Sequence, residues 1–220
     1  MRNPYHLSDQ AIAQINRTAL RREKKAKANM LLNFDELNAM KQVDSMYSDI
    51  DKQVRKKFKE LWVARFMEVI ALLIADGFIA KAPDEDVIED LLEMHLAGLL
   101  KEPNDVTHYI YAHEVLRKRD RTKEAILSVP TKAQKQITLD KHLRYLLQQV
   151  QWYADFTSQD AEISAYEEAN VKRVQRHEMK DERVCAVCRA ADGEIYDVDK
   201  VPPLPHPACR RWFTAVNPPN

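Results

Sequence analysis

Three cysteines occur in this chain, and all of them lie in its last thirty-six residues. They form Cys185-Ala186-Val187-Cys188 and, with a histidine, His206-Pro207-Ala208-Cys209. Within each pair two residues intervene, the reach over which one tight turn presents two donors to a single ion. Seventeen residues separate the pairs. Thiolate and imidazole suit tetrahedral Zn²⁺, and four protein donors close its coordination sphere, so the expected site is structural rather than catalytic. A module of about fifty residues has a small core, and a metal would add folding energy that it lacks. The other readings are free thiols or a Cys185–Cys188 redox pair. A redox pair belongs in a thioredoxin-like βαβ setting, which the flanking sequence does not supply.

The elements that must position these donors are mostly helical. The 220 residues are 45% apolar and 31% charged, with only three glycines. Scarce glycine with abundant Ala, Leu, Glu, Lys and Gln favours helix and argues against a glycine-rich phosphate loop. Apolar residues recur at Leu37, Met40, Val43, Tyr47, Ile50, Val54, Phe58 and Leu61, in steps of three and four. That pattern predicts a helix from about Asn33 to Asp76, with Gly77 as its stop. Pro83-Asp84 starts a second helix through about Leu100. Pro103-Asn104-Asp105 caps a third, from Val106 to about Arg121. Pro130-Thr131 opens a fourth, with Leu139, Leu143, Leu146, Leu147, Val150 and Tyr153 on one face, continuing with a break to Ala169. Near Asn170 the character changes. Val171 to Glu178 alternates as a strand, Asp192-Gly193 marks a turn, and Pro202, Pro203, Pro205 and Pro207 hold an extended segment that delivers His206 and Cys209. The expected fold is mainly α: a basic N-terminal arm (1–30), a long-helix body (31–169) and a small C-terminal α+β zinc-binding module (170–220).

Lysines plus arginines equal aspartates plus glutamates, so no net field draws the molecule to nucleic acid or membrane. The charge is uneven, however. Arg17, Arg21, Arg22, Lys24, Lys25 and Lys27 crowd the arm, which reads as helical from an N-cap at Ser8. These six cations either contact nucleic acid through phosphates or form a solvated helix face. Arg117, Lys118, Arg119, Arg121 and Lys123 read as the exposed end of the third helix. The N-terminus lacks the apolar core of a secretory signal, and Leu61–Ala80 is interrupted by Arg65, Glu68 and Asp76, which argues against a membrane span. An intracellular, reducing setting is expected, in which paired cysteines favour metal over disulfide. His108 and His113 do not share a helix face, and no nucleophile elbow, P-loop or dinucleotide fingerprint occurs. No enzymatic activity is expected.

Three stretches together resemble a known family: Ala161 to Val171, then Lys180-Asp181-Glu182-Arg183-Val184-Cys185 through Cys188 to Asp192-Gly193, then Pro202-Pro203-Leu204-Pro205-His206-Pro207-Ala208-Cys209-Arg210. In this order they are similar to the C-terminal region of the minor head proteins of tailed bacteriophages, the phage Mu F-like head morphogenesis proteins. The resemblance covers about a quarter of the chain, roughly residues 155–212. It implies a capsid-associated protein acting in head morphogenesis, in contact with the portal or major capsid protein and with packaged DNA as a further partner. It also implies residence inside the virion head near the portal, after assembly in the host cytoplasm, and self-association is compatible with it. It implies a fixed structural role for Asp181-Glu182-Arg183. The family often has a further cysteine two residues after the one matching Cys209. This chain has Arg211 there, which leaves His206 as the natural fourth ligand beside Cys185, Cys188 and Cys209. The rival readings are a zinc-containing nucleic-acid-binding protein, using the arm and Arg210-Arg211-Trp212, and a hydrolase or toxin-like enzyme.

Overall fold

The computed structural model describes residues 5–32, 35–100, 111–179, 184–205, 209 and 211–216. These form six helices, α1 (His6–Leu32), α2 (Glu36–Ala75), α3 (Glu85–Leu100), α4 (Tyr111–Ser128), α5 (Lys132–Glu168) and α6 (Ala186–Ala190), with three strands, β1 (Arg173–Glu178), β2 (Ile195–Asp197) and β3 (Arg211–Ala215). The protein is thus mainly helical with a small antiparallel sheet near its C-terminus. No described helix is long and apolar enough to cross a membrane.

Local chemistry sets the helix ends. Asp35 Oδ1 accepts the Asn38 N–H at 2.6 Å and starts α2. At its other end Gly77 takes φ +79, its N–H reaches Ile74 O at 3.1 Å, and the Phe78 N–H reaches Leu73 O at 2.8 Å. That pair of bonds is the Schellman motif, which needs a left-handed residue. Thr131 and Gln134 form a capping box at α5: Thr131 Oγ1 accepts the Gln134 N–H and Gln134 Oε1 accepts the Thr131 N–H, both at 3.2 Å. Asn170, at φ 54, repeats the Schellman stop with bonds from its own N–H to Glu167 O and from Val171 to Tyr166 O.

Several expectations need correction. Ser8 is not an N-cap. It lies inside α1, fully buried, and its hydroxyl donates to Tyr5 O at 3.0 Å. Leu37 faces solvent at 66% exposure, because it sits in the first turn of α2 beyond the buried stripe that begins at Ala39. The helix expected to end near Arg121 runs to Ser128, since Thr122 and Ile126 continue its buried face. Its expected cap, Pro103-Asn104-Asp105, lies outside the described residues, as does His108. No break interrupts α5 over its 37 residues. Within the basic N-terminal segment, Ile12, Ile15, Ala19, Ala26 and Met30 of α1 are buried.

The chain divides into two compact units. The first gathers Met1–Asp9, Lys59–Ala97 and Ala154–Asn220; the second gathers Gln10–Phe58 and Gly98–Tyr153. The sheet belongs to the first, in the order β2-β1-β3. Val174 pairs with Tyr196 on one side and Ala215 on the other, and Arg176 pairs with Phe213. Val174, Val198 and Phe213 bury themselves in one core with Trp62, Phe66, Val69, Ile70 and Leu73 of α2 and with Ala161, Ala165 and Tyr166 of α5. The change near Asn170 is one of secondary structure, and packing crosses it. Among its described residues the second unit contains helices and no strand, and it is built around Tyr47, Ile50, Val54, Phe58, Leu139, Leu143 and Leu146.

Candidate metal centre

β1 brings the first group to the site. Val174, Arg176 and Glu178 alternate inward along the strand. Charged side chains at inward positions need partners. Arg176 Nε donates to Glu178 Oε1 at 2.7 Å, and Nη2 lies 2.6 Å from the same oxygen. Asp192 Oδ1 accepts the Glu178 N–H at 2.9 Å. The other carboxylate oxygen, Glu178 Oε2, is buried without a hydrogen-bond partner. Burial raises the Glu178 pKa against the lowering pull of Arg176.

The first knuckle follows. Cys185 is the N-cap of α6, with extended backbone (φ −69, ψ 162), and its Sγ accepts the Cys188 N–H at 3.4 Å. A backbone N–H aimed at sulfur favours the thiolate. The single turn of α6 then carries Cys188 inward to 1% exposure while Val187 faces solvent. Gly193, at φ +87, reverses the chain after α6 and donates its N–H to Arg176 O at 2.8 Å, which fastens this turn to β1.

Cys209 arrives just before β3 and is also 1% exposed. Its Sγ lies 3.7 Å from that of Cys188. A disulfide would need about 2.05 Å. Two sulfurs on one tetrahedral zinc, each at about 2.3 Å, lie roughly 3.8 Å apart. The Cys188–Cys209 spacing therefore fits a shared ion. One Glu178 oxygen joins them, with ligand atoms of Glu178, Cys188 and Cys209 all within 4.8 Å of one another. Val184, Cys188 and Cys209 form a small apolar cluster of their own, with Met179, Cys185 and Leu204 at its edge. Burial, together with the neighbouring Cys185 and Cys209 thiols, pushes the Cys188 pKa up to about 12, and burial raises Cys209 too. Such a pocket disfavours bare thiolates, and a divalent cation is the group that reverses this balance.

Arg211 closes one side. It is 3% exposed, with Nη2 donating to the Pro202 carbonyl and its own carbonyl accepting from the Tyr5 hydroxyl. Its Nε and Nη1 are buried without hydrogen-bond partners. Burial lowers the Arg211 pKa, and Cys209 draws it back up.

Of the sequence-identified ligands, Cys188 and Cys209 converge, and Cys185 sits on Cys188 through its N-cap bond. His206 lies outside the described residues, as do Asp181-Glu182-Arg183 and Arg210. Glu178, Arg176 and Arg211 were missed. The signal for the first two was available: a strand reading of Val171–Glu178 puts Val174, Arg176 and Glu178 on one face, and two charges beside a buried valine require a reason.

The six arm cations do not act alike. Arg22 Nε pairs with Asp49 at 3.0 Å, and Lys27 pairs with Glu23 at 3.4 Å and with Asp140. Arg17, Arg21, Lys24 and Lys25 are exposed on α1. Elsewhere, His95 Nδ1 lies 2.6 Å from Asp160 Oδ2, an oxygen that also accepts Trp62 Nε1–H at 2.9 Å. This pair, with His95 buried and Asp160 half-buried, joins α3, α5 and α2 within the sheet unit.

No family model, no curated protein sequence and no solved structure matches the chain.

Proposed function

We propose that this chain is a non-catalytic structural protein of tailed-bacteriophage heads, of the Mu F-like kind, and that one Zn²⁺ staples its C-terminal sheet. The observation that carries the metal reading is the 3.7 Å separation of the buried Cys188 and Cys209 sulfurs. Cys185 supplies the third thiolate and His206 the fourth ligand. Glu178, Arg176 and Arg211 form the surrounding shell. With three thiolates, one zinc, one carboxylate and two guanidiniums, the buried cluster carries no net charge, which removes most of the cost of burying it. Arg211 stands where the family often has a cysteine, and it supplies a cation beside the thiolates in place of another ligand.

The head-protein reading rests on the order of motifs that surrounds these ligands. A stapled sheet that shares its core with α2 and α5 makes a rigid docking surface, and a rigid surface loses less entropy on binding than a mobile tail. The partners are the portal or major capsid protein, and the location is the inside of the head. Co-expression with portal and shell proteins, followed by counting copies in purified heads, tests this. Wild type should be incorporated. Cys209→Ala should be depleted at least severalfold. A variant with Arg17, Arg21, Lys24 and Lys25 all changed to Gln should be incorporated like wild type. Absence of wild-type protein from heads would overturn the reading.

A further inference from the structure

The helical unit holds a second candidate site, remote in chemistry from the cysteines. α4 and α5 line an open cavity of about 550 Å³ whose lining includes Lys118, Arg121, Lys141, His142, Arg144 and Tyr145. Four of these are permanent cations, and none of the described lining residues is a carboxylate. In the same unit other cations are matched: Arg22 with Asp49, Arg55 with Asp51, Lys123 and Arg119 with Asp44. Arg121, Lys141 and Arg144 make no salt bridge among the described residues, although Arg144 shares the field of Asp140, which Lys27 occupies. Like charges gathered at one concavity repel one another and raise the local potential for anions.

The neutral groups refine the ligand. Thr122 Oγ1 donates its one hydrogen to Lys118 O at 2.6 Å. It must therefore accept from Tyr47 Oη, at 2.7 Å, and from His142 Nδ1, at 3.0 Å. This fixes the His142 tautomer and leaves Nε2 available to a ligand in the cavity. Burial first, and then the charges of Lys118, Lys141 and Arg121, lower the His142 pKa. Tyr145 is 48% exposed, and the Lys118 ammonium lies 3.6 Å from its ring centroid. Two arginine forks suit phosphate oxygens, and an exposed aromatic ring beside cations is what stacks a nucleobase.

We propose that this cavity binds nucleotide phosphates, with Arg121, Lys141 and Arg144 on the phosphate oxygens and a base against Tyr145. The same chemistry is offered by a single nucleic-acid strand and by a free nucleotide, and the proposal is independent of the head-protein reading.

The test uses the full chain, a labelled twenty-nucleotide oligothymidylate followed by fluorescence anisotropy, and ATP followed by calorimetry. Changing Arg121, Lys141 and Arg144 together to Gln should weaken oligonucleotide binding at least tenfold. It should also flatten the dependence of log affinity on log salt by about 2, since each single-strand phosphate contact contributes about 0.7. Tyr145→Leu should weaken it on the order of tenfold with little change in the salt slope. Should the triple variant unfold, Arg121→Gln with Arg144→Gln replaces it, with circular dichroism as the check on folding. Loss of oligonucleotide binding with no ATP binding assigns a strand; parallel loss of both assigns a nucleotide pocket. No binding of either probe at low salt overturns the proposal. So does binding that these variants leave intact, or that falls equally when Arg17, Arg21, Lys24 and Lys25 are changed to Gln.

Discussion

The Glu162 carboxylate on α5 accepts the backbone N–H of Phe213 on β3 at 3.1 Å, through the same oxygen that pairs with Arg65 Nη2 at 3.0 Å. Arg65 in turn holds Glu68 at 2.7 Å, and the Tyr166 hydroxyl donates to Phe213 O at 2.8 Å. One buried carboxylate thus ties the strand after the cysteines to two long helices. Glu162→Ala should cost about 1–3 kcal/mol, because it leaves a buried strand N–H without its acceptor and Arg65 with only Glu68 of its two carboxylates. Glu162→Gln, which keeps an acceptor, should cost less. Urea unfolding of the two variants checks the order, and equal losses would deny the role given to the acceptor.

Protein purified without chelator should contain about one zinc per chain by elemental analysis. Cys188→Ala should abolish that content and open protease cleavage between β1 and β3. Because the sheet also holds to α2 and α5, most helical ellipticity should survive. Metal-free protein with the same thermal midpoint as the zinc form would refute the staple.

Glu178→Gln discriminates the fourth ligand. With His206 as ligand, the variant should keep one zinc and lose only affinity, on the order of tenfold, as expected for a group that supports ligands. His206→Ala should lose zinc outright. The reverse pattern would place Glu178 Oε2 on the metal.

His142 gives the pH prediction. Its folded pKa is depressed, by burial first and then by Lys118, Lys141 and Arg121. The unfolded chain therefore binds the proton more readily, and stability falls as pH drops through about 6.5 toward the folded value. Above that window the effect is absent. Urea midpoints at pH 7.5 and 5.5 should differ less for His142→Gln than for wild type.

Gly77→Ala should cost about 1–2 kcal/mol for its left-handed conformation. A Cβ there would meet no atom within 4 Å, so no steric penalty should add to it.

The long helices were legible because Val43, Tyr47, Ile50, Val54 and Phe58 keep a strict apolar step, and all five are buried. Gly77 was legible as a stop for its φ. The false break in α5 has a physical origin. Asp155, Thr157, Ser158 and Glu162 are buried, so the apolar stripe fades where the helix does not. Cysteine spacing marked the turn at Cys185–Cys188, since turn geometry is local. Glu178 and Arg211 join the site only through strand pairing, which no spacing rule encodes. The basic cavity was hidden for the same reason. Arg121 read as a solvated helix end, and its neighbours Lys141 and Arg144 come from the next helix.

The bond from the Tyr5 hydroxyl to the Arg211 carbonyl spans 206 positions, and it sets an order of events during synthesis. Every segment of the helical unit has left the ribosome once residue 153 has emerged. The sheet unit waits for β3, holding Tyr5 and the apolar face of Trp62, Phe66 and Ile70 without their final partners. Contacts so distant along the chain close slowly, and surfaces exposed meanwhile are prone to aggregate. Zinc supplied during expression, by capturing Cys185 and Cys188 as soon as Cys209 appears, should therefore raise soluble yield more than zinc added after purification.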